Sequence, residues 1–346
     1  MTKRERTLAS IRRKPLDAIP WQFDLTSVAA EKLRVYFGND DLLTATGDHF
    51  VTAGFGSGHG TKQDDPGTGL WRNEFGTIWR AGARDSNVGD WGDLISYPLH
   101  EPSLAGYHFP DGTNPGRWDH IPTLRRQYPD HFLMAHGSGL FENAWGLCGF
   151  ENYLSYILSD EDFVIEMTEH LADFSCAVTA QLADLGADGI RFGDDWGFQD
   201  KLMILPDVWR RIFKSQYRRI YQAAHDAGLV VMIHSCGNIT DIVPDLIEIG
   251  VEVINAFQPE AMDVIYCQRE FGSDVTFWGG LGSQSTIPLG TPVQVREEAV
   301  RMLDLFSEGG YILAPAGAVP TETPVENVAA IIEVAKAQLK KLRIEN

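Results

Sequence analysis

Two side chains of metal-binding type stand two positions apart in the segment His234-Ser-Cys236. The segment ends a short apolar run that is typical of a buried parallel strand. At this spacing both side chains lie on the same side of an extended chain. Imidazole and thiolate suit Zn²⁺, so the pair predicts part of a zinc site. The alternative is a buried histidine held by a backbone carbonyl beside an ordinary buried cysteine.

Two adjacent carboxylates, Asp194 and Asp195, follow another apolar run and are predicted catalytic residues. They could act as acid and base, as metal ligands, or as partners that orient His234. In the alternative interpretation, one caps the next helix and the other pairs with Arg191. His136 also ends an apolar run and is predicted to contact the substrate as a catalytic residue, unless it is a hydrogen-bonded core histidine.

Other polar or aromatic side chains stand at or near the ends of further apolar runs. They are predicted to bind the substrate, and they are Asp24, Gln258, Trp278 and Gln284.

Eight short apolar runs alternate with helical patterns, which is the order of a parallel α/β fold. The predicted strands are Ile19–Asp24, His49–Phe55, Phe132–His136, Gly189–Phe192, Val230–His234, Val253–Gln258, Val275–Gly279 and Tyr311–Pro315. The pattern predicts one (β/α)8 TIM-type barrel domain over residues 1–346. The residues after each strand would then converge on one pocket at the carboxyl-terminal mouth.

A long connection, residues 56–130, separates the second and third predicted strands and is rich in Gly, Asp, Pro and Trp. It is far longer than an ordinary loop. Because it would sit over the mouth of the barrel, it is predicted to be a lid, with a hairpin around 75–80. Its tryptophans at 71, 79, 91 and 118 indicate that it packs on another surface.

The net charge of −19 disfavours binding to nucleic acids and to anionic membrane surfaces. Four scattered cysteines do not form a disulfide framework. The amino-terminal stretch is charged rather than apolar, and no long apolar run follows. These features together predict a cytoplasmic protein.

Five segments resemble the uroporphyrinogen decarboxylase superfamily: Ala187–Gln199, Ala224–Gly228, His234–Asn238, Trp278–Gln284 and Thr323–Asn327. The resemblance covers nearly the whole chain and implies a (β/α)8 barrel. The decarboxylase itself carries an arginine-rich segment at the position where this chain has Trp21-Gln-Phe-Asp24. An acidic chain with Asp24 at that point does not suit a substrate with many carboxylates.

The His-x-Cys segment is similar to the zinc motif of cobalamin-dependent methyltransferases in the same superfamily. That resemblance implies zinc at His234 and Cys236 and cobalamin carried by a partner protein. The family also carries a cysteine after the last strand, where this chain has Ala316 and Gly317. A third ligand would therefore come from one of the nearby carboxylates, namely Asp24, Asp194, Asp195 or Glu260.

The resulting expectation is a metal-assisted methyltransferase that moves a methyl group from a small methoxy, thio or amine compound to a corrinoid protein. One alternative is a metal-free decarboxylase or lyase of a small carboxylic acid that uses Asp194 and Asp195. Another is a non-catalytic barrel that holds a ligand. A homodimer is a further expectation.

Overall fold

The apolar runs form the strands of an α/β fold in a computed structural model that describes residues 1–55, 61–65, 69–80 and 92–345, with the backbone alone for 61–65 and 340–345. Numbered along the chain, the strands are β1 (Phe50–Ala53), β2 (Thr61–Asp65), β3 (Leu70–Asn73), β4 (Ile78–Arg80), β5 (Asp93–Ser96), β6 (Phe132–His136), β7 (Gly189–Gly193), β8 (Val230–His234), β9 (Val253–Phe257), β10 (Thr276–Leu281) and β11 (Tyr311–Pro315).

Seven strands form one curled parallel sheet in the order β1-β6-β7-β8-β9-β10-β11. The other four, β2 to β5, form a separate antiparallel sheet within the long connection. Successive strands of the large sheet are neighbours, as expected when each parallel connection is made by a helix.

The helices lie mainly between the parallel strands. They are α1 (Lys3–Ile11), α2 (Ser27–Phe37), α3 (Leu42–Thr46), α4 (Ile121–Gln127), α5 (Phe141–Cys148), α6 (Phe150–Ser159), α7 (Glu161–Ala180), α8 (Pro206–Trp209), α9 (Ser215–Asp226), α10 (Val243–Glu248), α11 (Val264–Phe271), α12 (Thr286–Leu289), α13 (Pro292–Leu305) and α14 (Val325–Glu345). A π-helical turn, Arg210–Lys214, joins α8 to α9. Among the described residues, no helix has the length and apolar character needed to cross a membrane.

Both faces of the parallel sheet are buried, and every strand except β7 divides its side chains between two cores. In β8, Val230 and Met232 belong to a small cluster that also holds Trp278, while Val231 and Ile233 belong to the large cluster shared with the helices. This alternation follows from the period of two along a strand. Burial on both faces explains why the strands appear as continuous apolar runs.

The first predicted strand, 19–24, is not one of the seven strands. Its Trp21 makes an isolated parallel bridge to Leu313 of β11. On the other side, the Trp21 carbonyl accepts a hydrogen bond from the N–H of His49, the residue before β1, at 3.1 Å. The segment therefore bonds to both edges of the sheet without forming a regular strand, and the closed eight-stranded barrel stays a prediction.

Two local features explain why this segment makes a bridge and not a ladder. Pro20 has no N–H to donate. The N–H of Phe23 donates to the carboxylate of Asp48 at 2.9 Å instead of to a neighbouring strand. A side chain has thus replaced one of the backbone partners that a strand needs.

The long connection packs on the helices that follow it. β3 and β4 form the predicted hairpin, with Trp71 stacked on Trp79 at a ring separation of 5.7 Å. Trp79 contacts Trp145 of α5 at 5.6 Å, and the buried Trp118 donates its indole N–H to Val178 of α7. Trp91 lies outside the described residues. That this connection acts as a lid stays a prediction.

Candidate functional site

Asp195, His234 and Cys236 meet at the carboxyl ends of two neighbouring strands. β7 and β8 pair with Gly193 beside His234, so Asp195 and Cys236, each two residues further on, also come together. All three side chains are half-buried, and one potential ligand atom of each lies within 4.8 Å of the others. The structure therefore brings together both predicted metal ligands and one predicted catalytic carboxylate.

The distances in this cluster suit a tetrahedral cation. Nε2 of His234 lies 3.6 Å from Sγ of Cys236 and 3.6 Å from Oδ1 of Asp195. With ordinary zinc bond lengths, neighbouring N, S and O ligands of a tetrahedral ion are about 3.3–3.7 Å apart. One nitrogen, one sulfur and one oxygen at this spacing fit a zinc ion.

Asn255 sets the orientation of the His234 ring. Its Oδ1 lies 2.6 Å from Nδ1 of His234, and its amide nitrogen donates to the carbonyl of Trp278 at 3.2 Å. An amide oxygen can only accept, so Nδ1 carries the hydrogen and Nε2 keeps its lone pair. The lone pair is thus on the nitrogen that faces Cys236 and Asp195. Sequence reasoning missed Asn255, although it is the one polar residue in the apolar strand β9.

Arg191 links Asn255 to Asp24. Its Nη1 lies 3.4 Å from Oδ1 of Asn255 and 3.4 Å from Oδ2 of Asp24. The guanidinium carbon also lies 5.2 Å from the centre of the Trp278 ring. Arg191 therefore pairs with Asp24 and not with an aspartate of its own segment. Asp24 stays 47% exposed, so its carboxylate is accessible to a ligand.

Tight backbone packing fixes the loop that carries Cys236. The Cys236 N–H donates to Oδ1 of Asp195 at 2.7 Å, and the Gly237 N–H donates to Oε1 of Gln258 at 2.6 Å. A Cβ on Gly237 would lie 2.3 Å from the carbonyl oxygen of Gly197, so the approach requires glycine. Burial and the Asp195 carboxylate raise the pKa of the Cys236 thiol. A cation bound beside the thiol would reverse this effect.

Asp194 has the contacts of a helix cap. Its carboxylate accepts the N–H groups of Leu140, Phe141 and Glu142 at 2.6, 3.1 and 2.7 Å, and also the hydroxyl of Tyr217. Burial raises the pKa of Asp194 to about 6, although these hydrogen bonds oppose the change. Asp194 is 2% exposed and is not part of the cluster. Its catalytic role stays a prediction, and its observed contacts stabilise the start of α5.

Glu142, in the first turn of α5, is an ionisable residue that sequence reasoning did not select. Burial and the carboxylates of Asp194 and Asp195 raise the pKa of Glu142 well above its usual range. Its surroundings therefore favour the protonated form of its carboxyl group. No spacing in the sequence signals this role, because only the fold brings the start of α5 to the end of β7.

The remaining predicted residues do not belong to the cluster. His136 ends β6, and burial together with Arg191 lowers its pKa to about 4, so the imidazole is neutral. Trp278 is fully buried in the small core and stacks on Phe50. Gln284 is exposed and donates its backbone N–H to Glu260 at 3.0 Å. Substrate binding by these residues stays a prediction.

Comparison with known proteins finds two methyltransferases with similar sequences. Methylated-thiol–coenzyme M methyltransferase of Methanosarcina mazei is 24% identical over 217 residues, which is 62% of this chain and 56% of that protein. A methylcobamide:CoM methyltransferase of Methanosarcina barkeri is 22% identical over 205 residues, or 59% of this chain and 58% of that protein. The matches thus span little more than half of each relative.

A solved structure of a methyltransferase from Methanosarcina mazei has a similar fold. The TM-score is 0.75 at 18% sequence identity, and the match covers 97% of this chain and 99% of that one. The family model described as uroporphyrinogen decarboxylase (URO-D) matches residues 118–338, which is more than half of the chain and includes the whole cluster. The chain therefore belongs to the uroporphyrinogen decarboxylase family and is related to its methyltransferases.

Proposed function

We propose that this chain transfers a methyl group from a small methylated compound to the corrinoid of a partner protein, with a zinc ion held by Asp195, His234 and Cys236. The observation that carries the proposal is the three-ligand cluster at the carboxyl ends of β7 and β8. Three protein ligands leave a fourth position for a substrate, which is the usual form of a catalytic zinc site. One relative is named for a methylated thiol and supports methyl transfer from a small compound. Another is named for a methylcobamide and supports a corrinoid, there as the methyl donor to coenzyme M and here, in the proposal, as the acceptor.

A sulfur compound is the proposed methyl donor among the methoxy, thio and amine classes. One relative is named for a methylated thiol. Sulfur also suits a zinc ion with a thiolate ligand. A bound zinc ion would act as a Lewis acid toward the heteroatom that carries the methyl group and would stabilise that heteroatom as the leaving group.

The residues of the chain have separate tasks in this proposal. Asn255 holds the His234 ring so that Nε2 faces the other two ligands. Asp195 offers a carboxylate oxygen and accepts the Cys236 N–H, which fixes the thiol beside it. The carboxylates of Asp194 and Asp195 favour the protonated form of the nearby Glu142 carboxyl group. Together they provide a preformed donor set and a nearby proton source.

Metal content tests the first half of the proposal. Protein purified without chelator is expected to contain about one zinc per chain, and His234→Ala and Cys236→Ser less than about a tenth of that. Cys176→Ser is the matched control, because Cys176 is a half-buried thiol in α7 outside the cluster. Equal metal in all four proteins, or none in any of them, would contradict a site at these residues.

Methylation of free cob(I)alamin, followed by absorbance, tests the second half. Dimethyl sulfide, methanol and methylamine serve as donors, and the sulfur compound is expected to react fastest. Loss of the reaction in Cys236→Ser but not in Cys176→Ser would support the assignment. If no donor methylates cobalt with zinc-loaded protein, the proposed reaction is wrong.

A metal-free decarboxylase or lyase is the second candidate, because burial and the neighbouring carboxylates raise the pKa of Glu142 and favour a proton donor near Asp195. It predicts release of carbon dioxide from a small acid by zinc-free protein, and loss of that release in Asp195→Asn. A protein that shows neither reaction but binds a ligand at the cluster would be a non-catalytic barrel.

A further inference from the structure

The outward face of α2 leaves apolar side chains in contact with solvent. Val35 is 76% exposed and Tyr36 is 47% exposed. Together with the half-buried Val28 and with Val325 at the start of α14, they line a groove of about 790 Å³. Single apolar residues are common on protein surfaces, but apolar residues grouped along one groove are typical of a contact site. None of these residues belongs to the metal cluster, so the groove is separate from the candidate active site.

The stripe along this face carries apolar residues at both ends and opposite charges in the middle. Successive turns of the stripe are three or four positions apart, which places its members on one side of the helix. They are Val28, Glu31, Lys32, Val35 and Tyr36. Ala29 and Leu33, in a different phase, are buried. The helix therefore covers the core with one side and presents a second, partly apolar side outward.

This stripe is complementary to an antiparallel copy of itself. A two-fold axis that passes between Glu31 and Lys32 places Glu31 of each copy level with Lys32 of the other. The same axis places Val28 of each copy level with Val35 of the other. Apolar residues then meet apolar residues, and each charge meets the opposite charge. An isologous interface requires such self-complementarity.

Two other helices with exposed apolar residues lack this symmetry. Ile265 of α11 is 62% exposed, and an axis through the middle of that helix would place it level with Glu270. Val293 of α13 is 60% exposed, and the corresponding axis would place it level with Asp304. Self-pairing of either helix would bring an apolar side chain against a carboxylate, which is unfavourable. The pattern of α2 is therefore not a general property of exposed helices in this chain.

The two central charges of the stripe can pair with a second chain without losing their present contacts. Oε2 of Glu31 lies 3.3 Å from Nη1 of Arg34, and the Glu31 side chain is 69% exposed. A carboxylate has a second oxygen that can also accept. Nζ of Lys32 donates to the carbonyl of Thr321 at 2.6 Å, which uses one of its three N–H groups.

We propose that two copies of this chain associate through α2, with the two helices antiparallel about a two-fold axis between Glu31 and Lys32. A second copy fits this face because one stripe supplies both halves of the complementarity. Val35 and Tyr36 of each copy contact the groove of the other. The helix has 11 residues and is about 16 Å long, so the contact is short. Two chains with a net charge of −19 also repel each other, which limits the affinity of the dimer.

Sedimentation equilibrium of the full chain at physiological salt tests this proposal. We expect a monomer–dimer equilibrium with Kd between about 1 and 100 µM. Val35→Asp is expected to raise Kd at least tenfold, because the dimer would bury two unpaired carboxylates. Leu158→Asp is the matched control, because Leu158 is 85% exposed in the last turn of α6 and lies outside the groove.

Exchange of the central charges tests the antiparallel pairing. Glu31→Lys and Lys32→Glu are each expected to raise Kd at least fivefold, because like charges would meet on both sides of the axis. The double variant Glu31→Lys/Lys32→Glu restores opposite charges across the axis and should return Kd to within about threefold of wild type. It lacks the contacts to Arg34 and Thr321 that the single variants lose, so those contacts cannot explain a recovery.

The wild-type measurement does not depend on any variant, and circular dichroism shows whether each variant is folded. A wild-type chain that stays monomeric at about 500 µM would overturn the proposal and leave the groove to a different partner. Equal Kd values for Val35→Asp and Leu158→Asp would place the interface elsewhere on the surface. A double charge variant that associates no more tightly than the single variants would refute the antiparallel pairing.

Discussion

Replacing Asn255 with alanine should weaken metal binding without touching a ligand. Asn255 holds Nδ1 of His234 at 2.6 Å and is itself held by the Trp278 carbonyl at 3.2 Å. Without it the ring can rotate, and either nitrogen can carry the hydrogen. Loss of such a supporting hydrogen bond costs about 10- to 100-fold in metal affinity, or about 1.4–2.7 kcal/mol.

Competition with a chromogenic chelator measures the zinc affinity of wild type and Asn255→Ala. Asn327→Ala is the matched control: Asn327 is 0% exposed and donates to the carbonyls of Ile287 and Gly290 at 2.8 Å each. It should lower the free energy of unfolding and leave zinc affinity unchanged. An affinity within twofold of wild type for Asn255→Ala, or an equal loss in both variants, would refute the role assigned to Asn255.

Three further predictions follow from other contacts. Asp194→Asn should lower the free energy of unfolding in urea by about 1–3 kcal/mol, because one amide oxygen cannot replace a carboxylate that accepts three backbone N–H groups. Asp195→Asn should instead lose zinc with little change in the free energy of unfolding. The reverse pattern would be inconsistent with both assignments. Gly237→Ala should weaken zinc binding more than tenfold. Gly228 is the control, because it has a similar φ of +75° and nothing within 4 Å of an added Cβ; Gly228→Ala should only lower the free energy of unfolding, by about 1 kcal/mol for the strained backbone. Equal zinc affinity in the two variants would rule out a role for the contact between Gly237 and Gly197. Despite the opposing effect of burial, Arg6 holds the pKa of Asp17 at about 2. This carboxylate should therefore contribute about 2 kcal/mol of stability above pH 4, and the contribution should be lost as the pH falls toward 2. Asp17→Asn should flatten the acid unfolding curve between pH 4 and 2, and an unchanged curve would argue against the Arg6–Asp17 ion pair.

The sequence predicts most of the parallel sheet because its strands are buried on both faces and therefore form continuous apolar runs. Phe132–His136, Val230–His234 and Tyr311–Pro315 have the predicted bounds. The segment 19–24 shows where composition is insufficient: its apolar residues fit a strand, but the carboxylate of Asp48, from a distant part of the chain, takes one of its N–H groups. Such a competing partner has no signature in the local sequence.

The candidate site divides in the same way between local and tertiary information. His234 and Cys236 are visible because the chemistry and the spacing of two occur together in one segment. Neighbouring side chains at a strand end point to opposite sides, so the adjacent carboxylates Asp194 and Asp195 make different contacts. Asp194 accepts a hydrogen bond from the start of α5, and Asp195 accepts one from the N–H of Cys236. Period-two alternation could have separated them, since Asp195 and not Asp194 shares the phase of Gly193.

The pairing register of three strands determines the composition of the cluster. Gly193 pairs with His234 and His234 pairs with Asn255, so a single row across β7, β8 and β9 carries the ring and the amide that orients it. Two residues beyond that row, Asp195 faces Cys236. A slip of one residue between β7 and β8 would move Asp194 into the place of Asp195 and would turn the side chains of the slipped strand toward the opposite core. Because β8 packs its side chains into both cores, the two cores oppose such a slip. The large apolar sheet therefore specifies the positions of the ligand atoms even though it contributes only His234 to them.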